Sequence, residues 1–183
     1  GVPVWNGLSD QWHPTQSLCD MLTMMEHSDK PASEISFAYC GDGRNNVASS
    51  LTVAGAMMGM DVRLVGPASL MSPDSVLRPS MAIAEQTGAS ILQTDDVARG
   101  VVGVDFVYTD VWVSMGEPEQ VWDERIALLG DFQVNQDLLS ATGRPDVKFM
   151  HCLPAFHARH TELCETLFQR TGPSGLDMPA DVF

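Results

Sequence analysis

Five short apolar runs, each separated from the next by a stretch of helical periodicity, constrain this chain more than any other feature. Ile35 to Cys40, Asp61 to Val65, Ser90 to Gln93, Phe106 to Thr109 and Val147 to Met150 read as buried strands. Between them, apolar residues recur three and four apart. Val47, Leu51, Ala54 and Met58 mark one helix face, and Leu77, Met81 and Ala84 another. Shorter helices are expected at Asp96 to Arg99 and from Pro118 to Leu129, with a last one from Thr161 to Gln169. Ahead of the first strand, Trp12-His13-Pro14 reads as a helix start, because the N–H that proline lacks would be unpaired at that position anyway. Leu18, Met21, Leu22 and Met25 then recur at helical spacing and predict its buried face.

Strands alternating with helices call for a parallel sheet covered on both faces. Crossovers between parallel strands are right-handed. The expected fold is therefore α/β: a three-layer αβα, Rossmann-like, doubly wound sheet of strand order 3-2-1-4-5. In such sheets ligands bind outside the carboxyl ends of the strands, where the winding direction switches. Here the loops carrying Asn46, Asp110 and Cys152 would converge.

Composition narrows the function classes. The 183 residues fit one domain with a real core. A formal net charge of -14 is the opposite of a nucleic-acid footprint and would be repelled by an anionic membrane surface. No apolar run approaches the roughly 18 residues of a membrane span, and no secretory signal precedes the first helix. Cys19, Cys40, Cys152 and Cys164 form neither a CxxC pair nor a dense disulfide framework, so reduced thiols in the cytoplasm are expected. The chain begins at Gly1 and ends on a polar, proline-containing run. Both ends read as cuts from a longer protein, although a removed tag would also explain Gly1.

Each candidate motif has a bland reading. Gly41-x-Gly43-x-x-Asn46 approaches the dinucleotide fingerprint, but Asn46 replaces its third glycine, and Gly66 stands where an acidic residue would hold the ribose. The plain alternative is a tight strand-to-helix turn. Asn45 and Asn46 nevertheless open a helix, where backbone N–H groups and amide side chains can hold a carboxylate. Asp110 alone would be a turn residue, Cys152 a buried thiol, and His151 a satisfied core histidine. His151, Cys152, His157 and His160 invite a zinc reading, but no second Cys/His pair with structural spacing accompanies them. No metal site and no cofactor are expected. His13 and Gln16 lie three apart and share one helix face, either as a capping arrangement or as a binding pair.

Taken together, His13-Pro14-Thr15-Gln16, Gly41-Asp42-Gly43-Arg44-Asn45-Asn46, Asp110 through Gly116-Glu117-Pro118 and His151-Cys152-Leu153-Pro154-Ala155 change this balance. The set resembles the ornithine carbamoyltransferase family, specifically its C-terminal, ornithine-binding domain, over essentially the whole chain. The resemblance implies residues 1–33 as an interdomain segment with its first helix and 34–183 as the ornithine-binding domain. The N-terminal carbamoyl-phosphate domain and a C-terminal helix would be absent. The implied reaction is attack of the L-ornithine side-chain amine on carbamoyl phosphate, giving L-citrulline and phosphate, within arginine metabolism.

By that resemblance Asn46, Asp110, Ser114 and Met115 would contact ornithine. His13, Gln16, Cys152 and Leu153 would contact carbamoyl phosphate. Asp110, Cys152, His13 and Gln16 would carry the chemistry. The family's Ser-x-Arg-Thr-Arg phosphate grip is not present in this sequence. The chain alone is therefore expected to turn over negligibly, within a parent enzyme that would be a homotrimer. Rival readings are a related carbamoyltransferase with another amine acceptor, a nicotinamide-binding domain, and a catalytically dead scaffold.

Overall fold

A computed structural model of the chain describes residues 1–112, 119–153, 155, 165 and 177–182. Five parallel strands form one sheet: β1 (Ser36–Cys40), β2 (Asp61–Val65), β3 (Ser90–Thr94), β4 (Phe106–Thr109) and β5 (Lys148–His151). Their order is β3-β2-β1-β4-β5, the order expected from the sequence. The helices are α1 (Pro14–Glu26), α2 (Asn46–Met58), α3 (Asp74–Thr87), α4 (Val97–Val101), α5 (Glu119–Leu129) and α6 (Gln136–Ala141).

The two-residue period of the central strands divides the core. Phe37, Tyr39, Phe106 and Tyr108 face one layer, with Met21 and Met24 of α1 and Val47 and Leu51 of α2. Ala38, Cys40 and Val107 face the other, with Val101 of α4 and Leu138 of α6. β1 and β4 are buried along their whole length, as parallel strands covered on both faces must be. α2 ends at Gly59, whose φ of +78° is a left-handed position that a side chain would strain. Gly66 after β2 lies so close to the β1 loop that an added Cβ would sit 2.2 Å from the Gly41 carbonyl oxygen.

Several local expectations are corrected. The buried side of α1 is Ser17, Asp20, Met21 and Met24, while Leu18 is 70% exposed and Leu22 53%. The helix is rolled about its axis because Tyr108 of β4 donates a hydrogen bond to Asp20 at 3.0 Å, which pulls the carboxylate inward. In α3 the buried positions are Val76, Ser80 and Ala84, and Met81 is exposed. α6 has no counterpart in the expected elements; Asn135 caps it by accepting from the Leu138 N–H at 3.0 Å. β5 begins one residue later than expected, so His151 closes the strand and Cys152 is the first residue beyond it. The helix expected at Thr161 to Gln169 lies outside the described residues, apart from Glu165.

Candidate functional site

Strand register sets the site. Cys40, Thr109 and His151 are paired across β1, β4 and β5 at their carboxyl ends. The next residues along β4 and β5 are Asp110 and Cys152, so the sheet brings a carboxylate and a thiol to neighbouring positions from 42 residues apart. The Cys152 Sγ–H donates directly to Asp110 Oδ1, which also accepts from the Val111 N–H at 2.7 Å. Asp110 is only 5% exposed. Burial pushes its carboxyl above the ordinary carboxylate range, against those two hydrogen bonds, which favour the ionised form. Burial also pushes the Cys152 thiol far up, and the Asp110 charge adds to the shift. In this geometry Cys152 is a proton-bearing donor to Asp110, not a resting thiolate.

Behind this pair stands a second one. His151 Nε2 lies 2.5 Å from Asp177 Oδ2, and its Nδ1 meets the Cys152 carbonyl oxygen. Burial disfavours the charged ring, but the Asp177 hydrogen bond outweighs it and raises the His151 pKa above its ordinary value. With acceptors on both ring nitrogens, the imidazolium donates twice and fixes the peptide that carries Cys152.

The start of α1 supplies the other side. The His13 backbone N–H donates to Ser50 Oγ of α2 at 2.8 Å, tying the two helices together. The His13 ring Nδ1 is 2.9 Å from the Gly7 carbonyl oxygen. A carbonyl only accepts, so Nδ1 carries the hydrogen, and Nε2 of a neutral ring is left as an acceptor. Gln16 Nε2 donates to Asp20 Oδ1 at 3.0 Å, and Tyr108 Oη donates to Asp20 Oδ2 at 3.0 Å. Tyr39 stacks on Tyr108 with ring centroids 6.0 Å apart. Asn45 is the N-cap of α2, accepting from the Val47 N–H at 2.7 Å, and Asn46 opens the helix. The Asn46 amide nitrogen donates to the Ser9 carbonyl at 2.9 Å, which leaves its oxygen for other partners.

The structure thus joins Asp110 with Cys152, links Gln16 to β4 through Asp20, and places Asn46 at the head of α2. Leu153 follows Cys152 and is 77% exposed. Ser114 and Met115 lie outside the described residues, as do His157 and His160. Among the described residues no group of three or more His, Cys, Asp or Glu side chains is arranged to hold a metal ion. The close approach of Gly66 to Gly41 leaves no side chain at the place where a dinucleotide fold keeps its ribose-binding acid.

Three carboxylates escaped the sequence reading: Asp20, Asp42 and Asp177. Asp42, in the β1 loop, is gripped by Arg44 at 3.0 Å and by Arg125 of α5. Burial pushes its carboxyl up, but the two arginines outweigh this and hold it below the ordinary range. The only local signal for Asp20 was its place four residues after Gln16, inside an apolar pattern.

A buried carboxylate–thiol pair at the switch point of a 3-2-1-4-5 sheet defines a class of small-molecule-binding α/β domain, and the comparisons give that class its family. Residues 33–173 match the family described as aspartate/ornithine carbamoyltransferase, Asp/Orn binding domain. An ornithine carbamoyltransferase of Neisseria animalis is 52% identical over 178 residues, 97% of this chain and 77% of the relative. One from Neisseria mucosa is 51% identical over the whole chain and 70% of the relative. The solved ornithine carbamoyltransferase from Pyrococcus furiosus superposes with a TM-score of 0.77 at 39% identity, over 84% of this chain and 48% of that one. The chain belongs to the ornithine carbamoyltransferase family and carries its Asp/Orn-binding domain. It spans about half the length of that solved relative.

Proposed function

We propose that this domain supplies the L-ornithine-binding half of an ornithine carbamoyltransferase, which transfers the carbamoyl group of carbamoyl phosphate to the ornithine side-chain amine and releases L-citrulline and phosphate. The observation that carries this reading is the buried Asp110 carboxylate in contact with the Cys152 thiol at the sheet's switch point. An alkylammonium has a pKa of about 10.4 and is no nucleophile until it loses a proton. Desolvation lowers that value, whereas an adjacent carboxylate raises it. Asp110 therefore suits holding and orienting the amine better than deprotonating it, with ornithine's ammonium taking the donor position that the Cys152 thiol occupies here.

Asn46 at the head of α2 would meet the amino-acid end of ornithine, with Ser114 and Met115 closing over it. Cys152 and Leu153 would lie beside the carbamoyl group. Gln16 would accept from its amide N–H, and His13 would stabilise charge growing on its oxygen. Because Gly7 takes the Nδ1 hydrogen, a donating Nε2 calls for the imidazolium form of His13. The rest of the reading is a cytoplasmic homotrimer in which another domain, carrying a cationic clamp, grips the phosphate. None of the described helices is long and apolar enough to cross a membrane.

Backbone amide NMR of the labelled chain titrated with L-ornithine tests this. Saturable shifts at Asn46, Asp110 and Cys152 are expected, with citrulline formation from carbamoyl phosphate at background. Shifts confined to other parts of the chain, or robust turnover by pure chain alone, would overturn the assignment.

A further inference from the structure

We propose that Asp20 is a positioning residue that sets which atom of the Gln16 amide faces the substrate crevice. This role rests on the reading of Gln16 as a carbamoyl contact. Asp20 lies on α1, only 4% exposed, and both of its oxygens are engaged from opposite sides. Gln16 Nε2 donates to Oδ1 and Tyr108 Oη donates to Oδ2, each at 3.0 Å. An ionised carboxylate accepts only, so Gln16 must turn its nitrogen inward. A proton on Oδ2, shared with Tyr108, would leave Oδ1 an acceptor and the amide unchanged.

The Gln16 oxygen is thereby presented outward, and it has no partner among the described residues. An outward acceptor matches a group that brings an N–H. A carbamoyl amide brings one, and the methyl of an acetyl phosphate does not. A flipped amide would set donor against donor and lose that distinction. The same carboxylate ties α1 to Tyr108, two residues before Asp110 on β4. It thus holds the spacing between the carbamoyl side and the amine side of the crevice.

Steady-state kinetics of the full-length transferase carrying this domain test the proposal through D20L, Q16E and the exchange Q16E/D20N. In D20L the KM for carbamoyl phosphate rises about tenfold, the scale of a buried donor left without an acceptor, while the KM for ornithine moves less than about threefold. Q16E sets two carboxylates against each other and weakens carbamoyl phosphate. Adding D20N restores a donor facing the carboxylate that Q16E introduces, so the double variant recovers most of that loss. Equal rises in both KM values in D20L, or no recovery in the exchange, would overturn the role of Asp20.

The exchange is isosteric and covers the case in which D20L does not fold. In the 183-residue chain itself, one Gln16 Nε2 proton should be protected from solvent exchange, and an unprotected pair would also overturn the proposal. A wild-type enzyme that makes no citrulline would instead overturn the proposed function, leaving the amide protons to decide the orientation.

Discussion

The contact between Cys152 and Asp110 can be read out chemically, because a thiol reacts through its thiolate. Replacing Asp110 with asparagine keeps the shape and removes the charge that opposes ionisation. A hydrogen bond to a charged partner is worth about 1.5–3 kcal/mol, and each roughly 1.4 kcal/mol is a factor of ten in the thiolate population. The Asp110→Asn variant should therefore alkylate at Cys152 about 10 to 100 times faster than wild type at the same pH. The assay is iodoacetamide labelling at about pH 8, followed peptide by peptide by mass spectrometry. Cys19 is exposed and serves as the reactive reference. Cys40 is fully buried, with its thiol pushed up to about 12 by burial, and serves as the inert one. In wild type, Cys152 should lag well behind Cys19. If Cys152 labels as fast as Cys19 in wild type, or if Asp110→Asn leaves its rate unchanged, the thiol is not donating to Asp110 and the electrostatic account of the site is wrong.

Asp105 anchors the opposite end of the sheet. It accepts from the Ser36 N–H at 2.9 Å and from the Ser36 hydroxyl at 3.0 Å, and pairs with Lys30 at 2.6 Å. Asp105→Ala should destabilise by about 2–4 kcal/mol, mostly from the two orphaned Ser36 donors, because Lys30 is partly exposed and its pair adds little. With a slope near about 2 kcal/mol/M, the urea midpoint falls by about 1–2 M. Burial pushes the Asp105 carboxyl up, but Lys30 and Ser36 outweigh it and the net shift is downward from 3.8. Its stabilisation is therefore complete above about pH 4 and fades as pH falls through the lower folded value. The gap between wild type and variant should close below about pH 4, and a constant gap would contradict this. Gly66→Ala drives a Cβ against the Gly41 carbonyl and should cost about 1–3 kcal/mol, read as roughly 2–4 °C of Tm per kcal/mol, while disturbing the amide signal of Asn46. Gly130→Ala, with open space around it, is the control and should melt like wild type.

What could be read from the chain alone was whatever depends on local pattern. β2 and β4 fall at the expected residues, since strands buried in a parallel sheet are continuous apolar runs bounded by turns. Pro14 and Gly88 marked helix ends because backbone geometry favours those residue types there. The strand order followed from handed crossovers, and the place of Asp110 and Cys152 followed from the order. Choices that turn on distant partners stayed hidden. The roll of α1 depends on Tyr108, 88 residues from Asp20, and apolar spacing alone favoured the side that the structure exposes. The support behind Cys152 comes from Asp177, 26 residues past His151, and the capture of Asp42 comes from Arg125, 83 residues on. Periodicity reports which residues share a face, but a buried carboxylate goes where its donors are, and only the folded chain brings those donors into reach.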